Sequence, residues 1–368
     1  MKVAIMGAGL SGLSCAIELE KHGIEPYIFE RRSRVGDRFI NAEVFAGMYS
    51  RPILDEVRYL SEELGIFVQP ASNIKDLIVY SPKKKAVLSG PVGFVSIRGR
   101  HRDALENQLA RQVHSPIHYH SEHTYEELLR EYTHVVLATG DADYVKKIQN
   151  FHEDATVTLI GVTVEGEFTR NTVFTWFDNR FAPHGGYGFL IPFSPTEATV
   201  VLAFAEYKGL QAYDKTALWE MFFNRVCTDL NQNLKVTDQF EVNEYVMGIA
   251  ESPRLGNTFF VGNCYGALMP GMGFGQFASI LTGVYAAKDI VGLGRYETLT
   301  NELRHSYDHS RTLRRMMETL DNDGLDNFVQ MLNGVWGRML VHSRVNVLKW
   351  ASYAARPWVA LHKGPESQ

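Results

Sequence analysis

Cysteine is scarce in this chain. Its three residues, Cys15, Cys227 and Cys264, are far apart and odd in number. This excludes a disulfide framework, offers no metal-type spacing, and suits a reducing compartment. No apolar run reaches the ~20 residues a helix needs to cross a bilayer. Positive charge is not in excess, the net being -5, so nucleic acid is not indicated as a bulk partner. There is no internal repeat and no low-complexity tract. The strand-like KVAIMG begins at Lys2 and leaves no place for a signal or transit peptide, so the expectation is a cytoplasmic protein.

What is present is a globular composition, 45% hydrophobic and 21% charged, over 368 residues, enough for two or three domains. Residues 3–6 read as a buried parallel strand, 12–22 as a helix closed by Gly23, and 24–30 as a second strand. A helix is expected over 55–64. SPKKK turns a hairpin between 74–80 and 86–88. A helix over 102–113, a strand at 117–120 and a glycine-ended strand at 134–140 follow. From Phe151 the texture is β-rich, with an amphipathic helix at 214–230. The chain returns to a strand at TFFVG and is helical after about Tyr296. The reading is an α/β Rossmann-type domain (1–73, 96–145, 251–295) interleaved with a mainly antiparallel sheet domain (74–95, 146–250). A helical region (296–368) closes the chain.

GAGLSG (7–12) lies between strand and helix, with Glu30 closing the second strand. Gly7 permits the tight turn, Gly9 lets backbone approach a pyrophosphate, and Gly12 allows close packing of helix on strand. The helix start, with Leu10 and Ser11, offers free N–H groups to the phosphates. Glu30 is placed to bond a ribose. The fingerprint does not choose between NAD and FAD, but no second fingerprint marks a separate nicotinamide domain.

A second glycine-rich stretch, FFVGNCYGALMPGMGFGQ (259–276), follows a short apolar strand. With this stretch the chain resembles the FAD-dependent oxidoreductases of the p-hydroxybenzoate hydroxylase fold, and among them the geranylgeranyl reductase branch. The N-terminal motif, RVGDRF (34–39), RDALENQLA (102–110), VVLATG (135–140), GYGFLIPF (186–193) and PGMGFGQFASILTG (270–283) carry the resemblance. It implies FAD as cofactor. Arg31 is then expected against adenine, and Arg38 and Arg102 against the phosphates or the flavin edge. Gly140 lies on the returning strand. Gly262 and Asn263 stand at the ribityl chain, where relatives carry Gly-Asp. Gly273, Gly275 and Gln276 form a turn whose N–H groups stabilise charge on the reduced ring. Two other positions depart from the family. Asp143 replaces a glycine of a motif associated with pyridine-nucleotide use, leaving a reduced nicotinamide or a redox protein as electron donor. No cysteine follows RVGDRF.

Tyr187 and Phe189 alternate on one strand and share a face. Either they are sheet core or, with Trp176, Pro192 and Pro270, they line a wide apolar pocket for a hydrophobic small molecule. No general acid is evident, and Cys264 is a minor redox candidate. His114, His118, His120 and His123 cluster without a completing carboxylate, so no metal is expected. Residues 331–365 hold five Lys/Arg and no Asp/Glu, with tryptophans between them. Such a helix either caps the body or lies on a membrane surface. The resemblance implies reduction of an unsaturated isoprenoid-like or aromatic substrate by hydride from flavin N5. A flavin monooxygenase, less readily a halogenase, and a non-catalytic flavoprotein or lipid-binding relative are the alternatives.

Overall fold

The computed structural model describes residues 1–207 and 213–362; positions 363–368 of the expected helical tail lie outside the described residues. β1 (Val3–Met6) is buried on both faces, and Gly7 ends it. α1 (Leu10–Lys21) and β2 (Tyr27–Phe29) complete a β-α-β unit. β3 (Asn41–Phe45), α2 (Glu56–Glu62), β4 (Ser72–Tyr80) and β5 (Lys85–Arg98) follow. Next come α3 (Leu105–Ala110), β6 (Ile117–His118), α4 (Tyr125–Glu131), β7 (His134–Leu137) and α5 (Asp143–Lys147). The β-rich segment is β8 (Phe151–Glu165), β9 (Thr172–Trp176), β10 (Tyr187–Pro192) and β11 (Glu197–Glu206). α6 (Lys215–Leu230), β12 (Lys235–Ala250), β13 (Arg254–Leu255), β14 (Thr258–Phe260) and α7 (Gln276–Ile290) lead to the tail. The tail holds α8 (Tyr296–Leu299), α9 (Asn301–Glu318), α10 (Asn322–Leu332), α11 (Val335–His342) and α12 (Val347–Leu361).

Two sheets result. The first runs β13-β14-β7-β1-β2-β6 and is parallel except for the β13–β14 pair. The second runs β12-β8-β11-β10-β9-β4-β5-β3, antiparallel except where β4 lies parallel to β9. β3 lies inside the first segment assigned above to the nucleotide domain, yet it is the edge strand of the second sheet. It pairs with β5, which itself extends to Arg98. The chain therefore crosses between sheets soon after β2, which brings the 31–40 loop against both.

α6 covers one face of the second sheet. Phe222 packs there so closely that a Cβ on Gly188 would sit 2.1 Å from its ring. Burying a side chain of that size contributes about 1.5–3 kcal/mol. The opposite face of β10 and β11 is turned to the first sheet. The tail bonds to both sheets; on α8, Tyr296 Oη donates to Phe260 O of β14 at 2.6 Å. On α10, Asp326 accepts from Ser81 Oγ at 2.6 Å and from the Lys83 N–H at 2.9 Å, holding the β4–β5 turn. On α9, Arg311 pairs with Asp154 of β8 at 3.2 Å.

Candidate functional site

Two helix starts meet. α1 packs on α7 with no side chain between them at one point: a Cβ on Gly283 would lie 2.1 Å from Ser11 O, and Ser14 Oγ donates to Ile280 O at 3.1 Å. Thr282 Oγ1 accepts the Gly262 N–H at 2.9 Å, tying the return strand to the same helix. Five other helices have their first N–H groups capped by a side chain: Asp55, Thr124, Asp214, Asp321 and Asn346. At α1 and α7 the caps are Gly9 and Gly275, which cannot do this. Both ends line one cavity of about 870 Å³ between the sheets. Uncapped N–H groups and the helix dipoles make both ends anion acceptors.

The nucleotide half carries most of the expected residues. Gly7 needs its φ of +115°, and a Cβ there would lie 2.2 Å from Ala138 O. Gly9 is different: its would-be Cβ meets nothing within 4 Å and opens on the cavity. Glu30 accepts from the Ala8 and Arg32 N–H groups, each at 2.9 Å, and keeps lone pairs for ribose hydroxyls. Arg31 also lines the cavity. Arg38 projects into it, its guanidinium 4.7 Å above the Phe39 ring and without an ion-pair partner among the described residues. Desolvation, then the Arg98 charge, lowers its pKa; its accessible surface is cavity surface. Such a cation fits a phosphate or the flavin edge.

Gly140 and Asn263 are joined. Asn263 Nδ2 donates to Gly140 O at 3.0 Å and to the Tyr245 hydroxyl. With Nδ2 turned to Gly140 O, which the Tyr245 hydroxyl also reaches at 3.4 Å, Asn263 Oδ1 is left to accept from a ligand. In the glycine turn, the Gly273 N–H is already given to Met269 O at 2.9 Å, so the free donors begin at Phe274 rather than at Gly273. Tyr187 Oη donates to Met272 O at 2.6 Å and steadies this turn. Gln276 Oε1 accepts from Ser96 Oγ at 2.5 Å, anchoring the start of α7 to β5. These features fit an FAD-sized dinucleotide, its pyrophosphate at the start of α1 and its ring end at the start of α7.

Three expected residues are not brought to the cavity. Arg102 lies beyond the Gly99 bend and before α3 begins; its side chain is 87% exposed and pairs with Asp103. The buried arginine here is Arg98, which was not foreseen. It bridges Glu106 at 2.8 Å and Glu43 at 3.0 Å. Burial opposes its charge, but the two carboxylates outweigh burial and raise its pKa. Trp176 faces α6, stacked on Tyr80 and donating to Asp229 at 2.7 Å. Pro192 has the same strand parity as Leu190 and Gly188 and is buried away from the cavity. Period two explains both corrections.

Tyr187, Phe189 and Pro270 do line the cavity. They continue into an apolar wall with Leu77, Leu159 and Val201. At its far side stand His184 and Arg314, the latter ion-paired with Glu318 at 2.8 Å on α9. His184 has a left-handed backbone, φ 51°, a conformation that costs energy in a non-glycine residue. No local motif announced it, because the wall is assembled from strands and a tail helix far apart in sequence.

Of the other candidates, His123 also lines the cavity, whereas Cys264, His114, His118 and His120 do not. The Cys264 thiol is buried, 3.0 Å from Asp141 O, and burial above all raises its pKa to about 11. It is therefore protonated at neutral pH. His118 and His123 pack on Phe29, at 5.5 and 4.6 Å between ring centres. Among the described residues no three groups converge as metal ligands, and no helix is long and apolar enough to cross a membrane.

Residues 5–50 match the family of NAD(P)-binding Rossmann-like domains. Curated relatives match only in part. A flavin-containing monoamine oxidase of Mycobacterium tuberculosis, AofH, is 39% identical over 74 residues, covering 18% of this chain and 16% of that protein. Amine oxidase B of Sus scrofa is 31% identical over 97 residues, 24% of this chain and 19% of that protein. The chain thus spans less than a fifth of the length of these relatives. Solved structures match throughout. A geranylgeranyl bacteriochlorophyll reductase-like protein of Thermoplasma acidophilum superposes with TM-score 0.74 at 15% identity, covering 98% of this chain and 97% of that one. The flavin-dependent brominase Bmp2 gives TM-score 0.68 at 14% identity, covering 98% of each chain. The chain has the fold shared by these two flavoprotein structures over nearly its whole length.

Proposed function

We propose that the protein is an FAD-dependent oxidoreductase that reduces an unsaturated hydrophobic substrate, isoprenoid-like or aromatic. One observation carries the reading: a single cavity joins two uncapped helix starts to an apolar, aromatic sheet face. FAD, when bound, supplies a hydride from N5. The protein's part is to hold and to orient. Leu10, Ser11 and Gly12 present N–H groups to the pyrophosphate, Glu30 holds a ribose and Asn263 accepts from the ribityl chain. The backbone from Phe274 to Gln276 faces the end of the ring that gains charge. The wall of Tyr187, Phe189 and Leu159 excludes water and aligns a long apolar substrate.

Hydride addition to a carbon–carbon double bond also needs a proton. Within the second-sheet half, His184 lines the cavity and is the imidazole placed to deliver it. Burial lowers its pKa, so the proton-bearing form is favoured on the acid side of its ordinary range. His184→Ala is expected to lower kcat about 100-fold or more, to leave bound FAD unchanged and to flatten the alkaline limb of the rate profile, where the parent loses the proton His184 delivers.

A monooxygenase on the same fold is the second reading, favoured by the brominase and by the monooxygenase PieE, which matches with TM-score 0.57 at 12% identity. One experiment separates the two. Enzyme reduced photochemically without oxygen is reoxidised by an isoprenoid substrate if the first reading holds. Oxygen uptake coupled to NADPH consumption, and triggered only by an aromatic substrate, replaces it with the second. Protein that refuses FAD removes both.

A further inference from the structure

The cavity does not account for the outer surface of the last two helices. On α12, Trp350, Tyr353, Pro357 and Leu361 recur at three- and four-residue spacing and form one stripe. The stripe is exposed, 62% at Trp350 and 81% at Leu361. It is not the packing face. That face holds Ser352, bonded to His309 of α9 at 2.7 Å, together with Ala355. The helix is therefore apolar on two sides, and only one is used. The preceding α11, which contacts α12, repeats the pattern with Val335, Trp336 and Met339 exposed at 60, 48 and 42%. A fold that needed these residues only for its core would not leave two tryptophans this open.

The charge on this region selects the occupant. Arg338, Arg344, Lys349 and Arg356 lie along it without an intervening Asp or Glu, although the whole chain is net negative. None of the four is in an ion pair among the described residues; Arg356 lies over the Tyr353 ring at 4.6 Å. A second copy meeting this face about a two-fold axis would set like charges against like. An anionic bilayer surface supplies what both halves of the pattern require. Its phosphates take the cations, and its interface takes tryptophan rings and aliphatic tips.

We propose that α11 and α12 dock the protein on an anionic lipid surface, with the Trp350–Leu361 stripe entering the interfacial layer. The position matters for the chemistry. α11 packs on β5: a Cβ on Gly90 would lie 2.8 Å from Val341, and Val92, two residues on, lines the cavity. Docking therefore sets that cavity wall beside the bilayer. The basic, aromatic surface of α11 and α12 is present whatever reaction the cavity supports.

The test is co-sedimentation of the full chain with vesicles of phosphatidylcholine, with and without about one-third phosphatidylglycerol. The protein is expected to pellet with the anionic vesicles and to lose binding about fivefold or more on raising the salt to about 0.5 M. The doubly substituted Trp350→Ser, Leu361→Ser chain is expected to bind about tenfold more weakly while keeping its melting temperature and its FAD content. No binding to anionic vesicles at low salt overturns the proposal. So does equal binding by the substituted chain, or equal binding to neutral vesicles. A wild-type dimer in sedimentation velocity that the same substitutions dissociate assigns the stripe to a second copy instead, and overturns it too.

Discussion

The glycines of GAGLSG do different work, and substitution separates it. At Gly9 the backbone is extended, with φ -85° and ψ -170°, and the space where a side chain would go is open. Gly9→Val should therefore fold normally, with stability within about 1 kcal/mol of the parent, and lose FAD because the side chain fills the phosphate site. Gly12→Ala should do the reverse of a clean lesion. Its Cβ would meet Gly7 O at 2.0 Å, and overpacking there costs about 1–3 kcal/mol or more. Flavin absorbance per protein, measured with a urea melt, distinguishes the two. Asn263 makes a second residue-scale case. An aspartate there would set a carboxylate against Gly140 O and remove a donor that this carbonyl uses. Asn263→Asp should cost about 1–3 kcal/mol in a urea melt. Equal stability would show that the Asn263–Gly140 bond has no weight.

At the scale of elements, the N-terminus of α2 holds a buried carboxylate. Glu56 is 4% exposed; it accepts from Ser50, and its Oε2 has no partner among the described residues. Burial, above all, raises its pKa from 4.5 to about 7. The folded state then keeps a proton that the unfolded chain gives up as pH climbs through this window. Its contribution is greatest below the unfolded pKa and is lost as pH rises toward about 7. Glu56→Gln has no such dependence. It should match the parent near pH 5 and exceed it by up to about 3 kcal/mol near pH 8, read as urea midpoints at the two values. The same scale explains α1 and α7. Gly283 looks like helix filler in a sequence, but it sets the contact that lines up two uncapped helix starts.

For the whole molecule, the cavity lies between two sheets that share a chain crossing several times, and FAD would touch both. A ligand bound only by the folded state stabilises it by about 2.7 kcal/mol at a hundredfold excess over its Kd. FAD added to stripped protein should raise the melting temperature in step with its concentration, as one cooperative transition. Two separate transitions, with only one moved by FAD, would show that the sheets unfold independently and that the cofactor belongs to the first alone.

What the sequence by itself determined was local and periodic. The β-α-β start, the glycine turn with Glu30, the hairpin at 81–84, α6 and the helical tail are legible because turns, caps and apolar spacing are short-range signals. The FAD-type character came from two glycine stretches some 250 residues apart that resemble known motifs. Tertiary structure alone decided which neighbours matter. It put Arg98 rather than Arg102 beside the cavity, because the Gly99 bend turns the later arginine outward. It sent Trp176 and Pro192 to the α6 side, because a strand offers alternate residues to opposite faces. It assigned β3 to the second sheet and brought His184 to Arg314 across 130 residues. Such pairings arise when sheets and helices pack, and no window along the chain contains both partners.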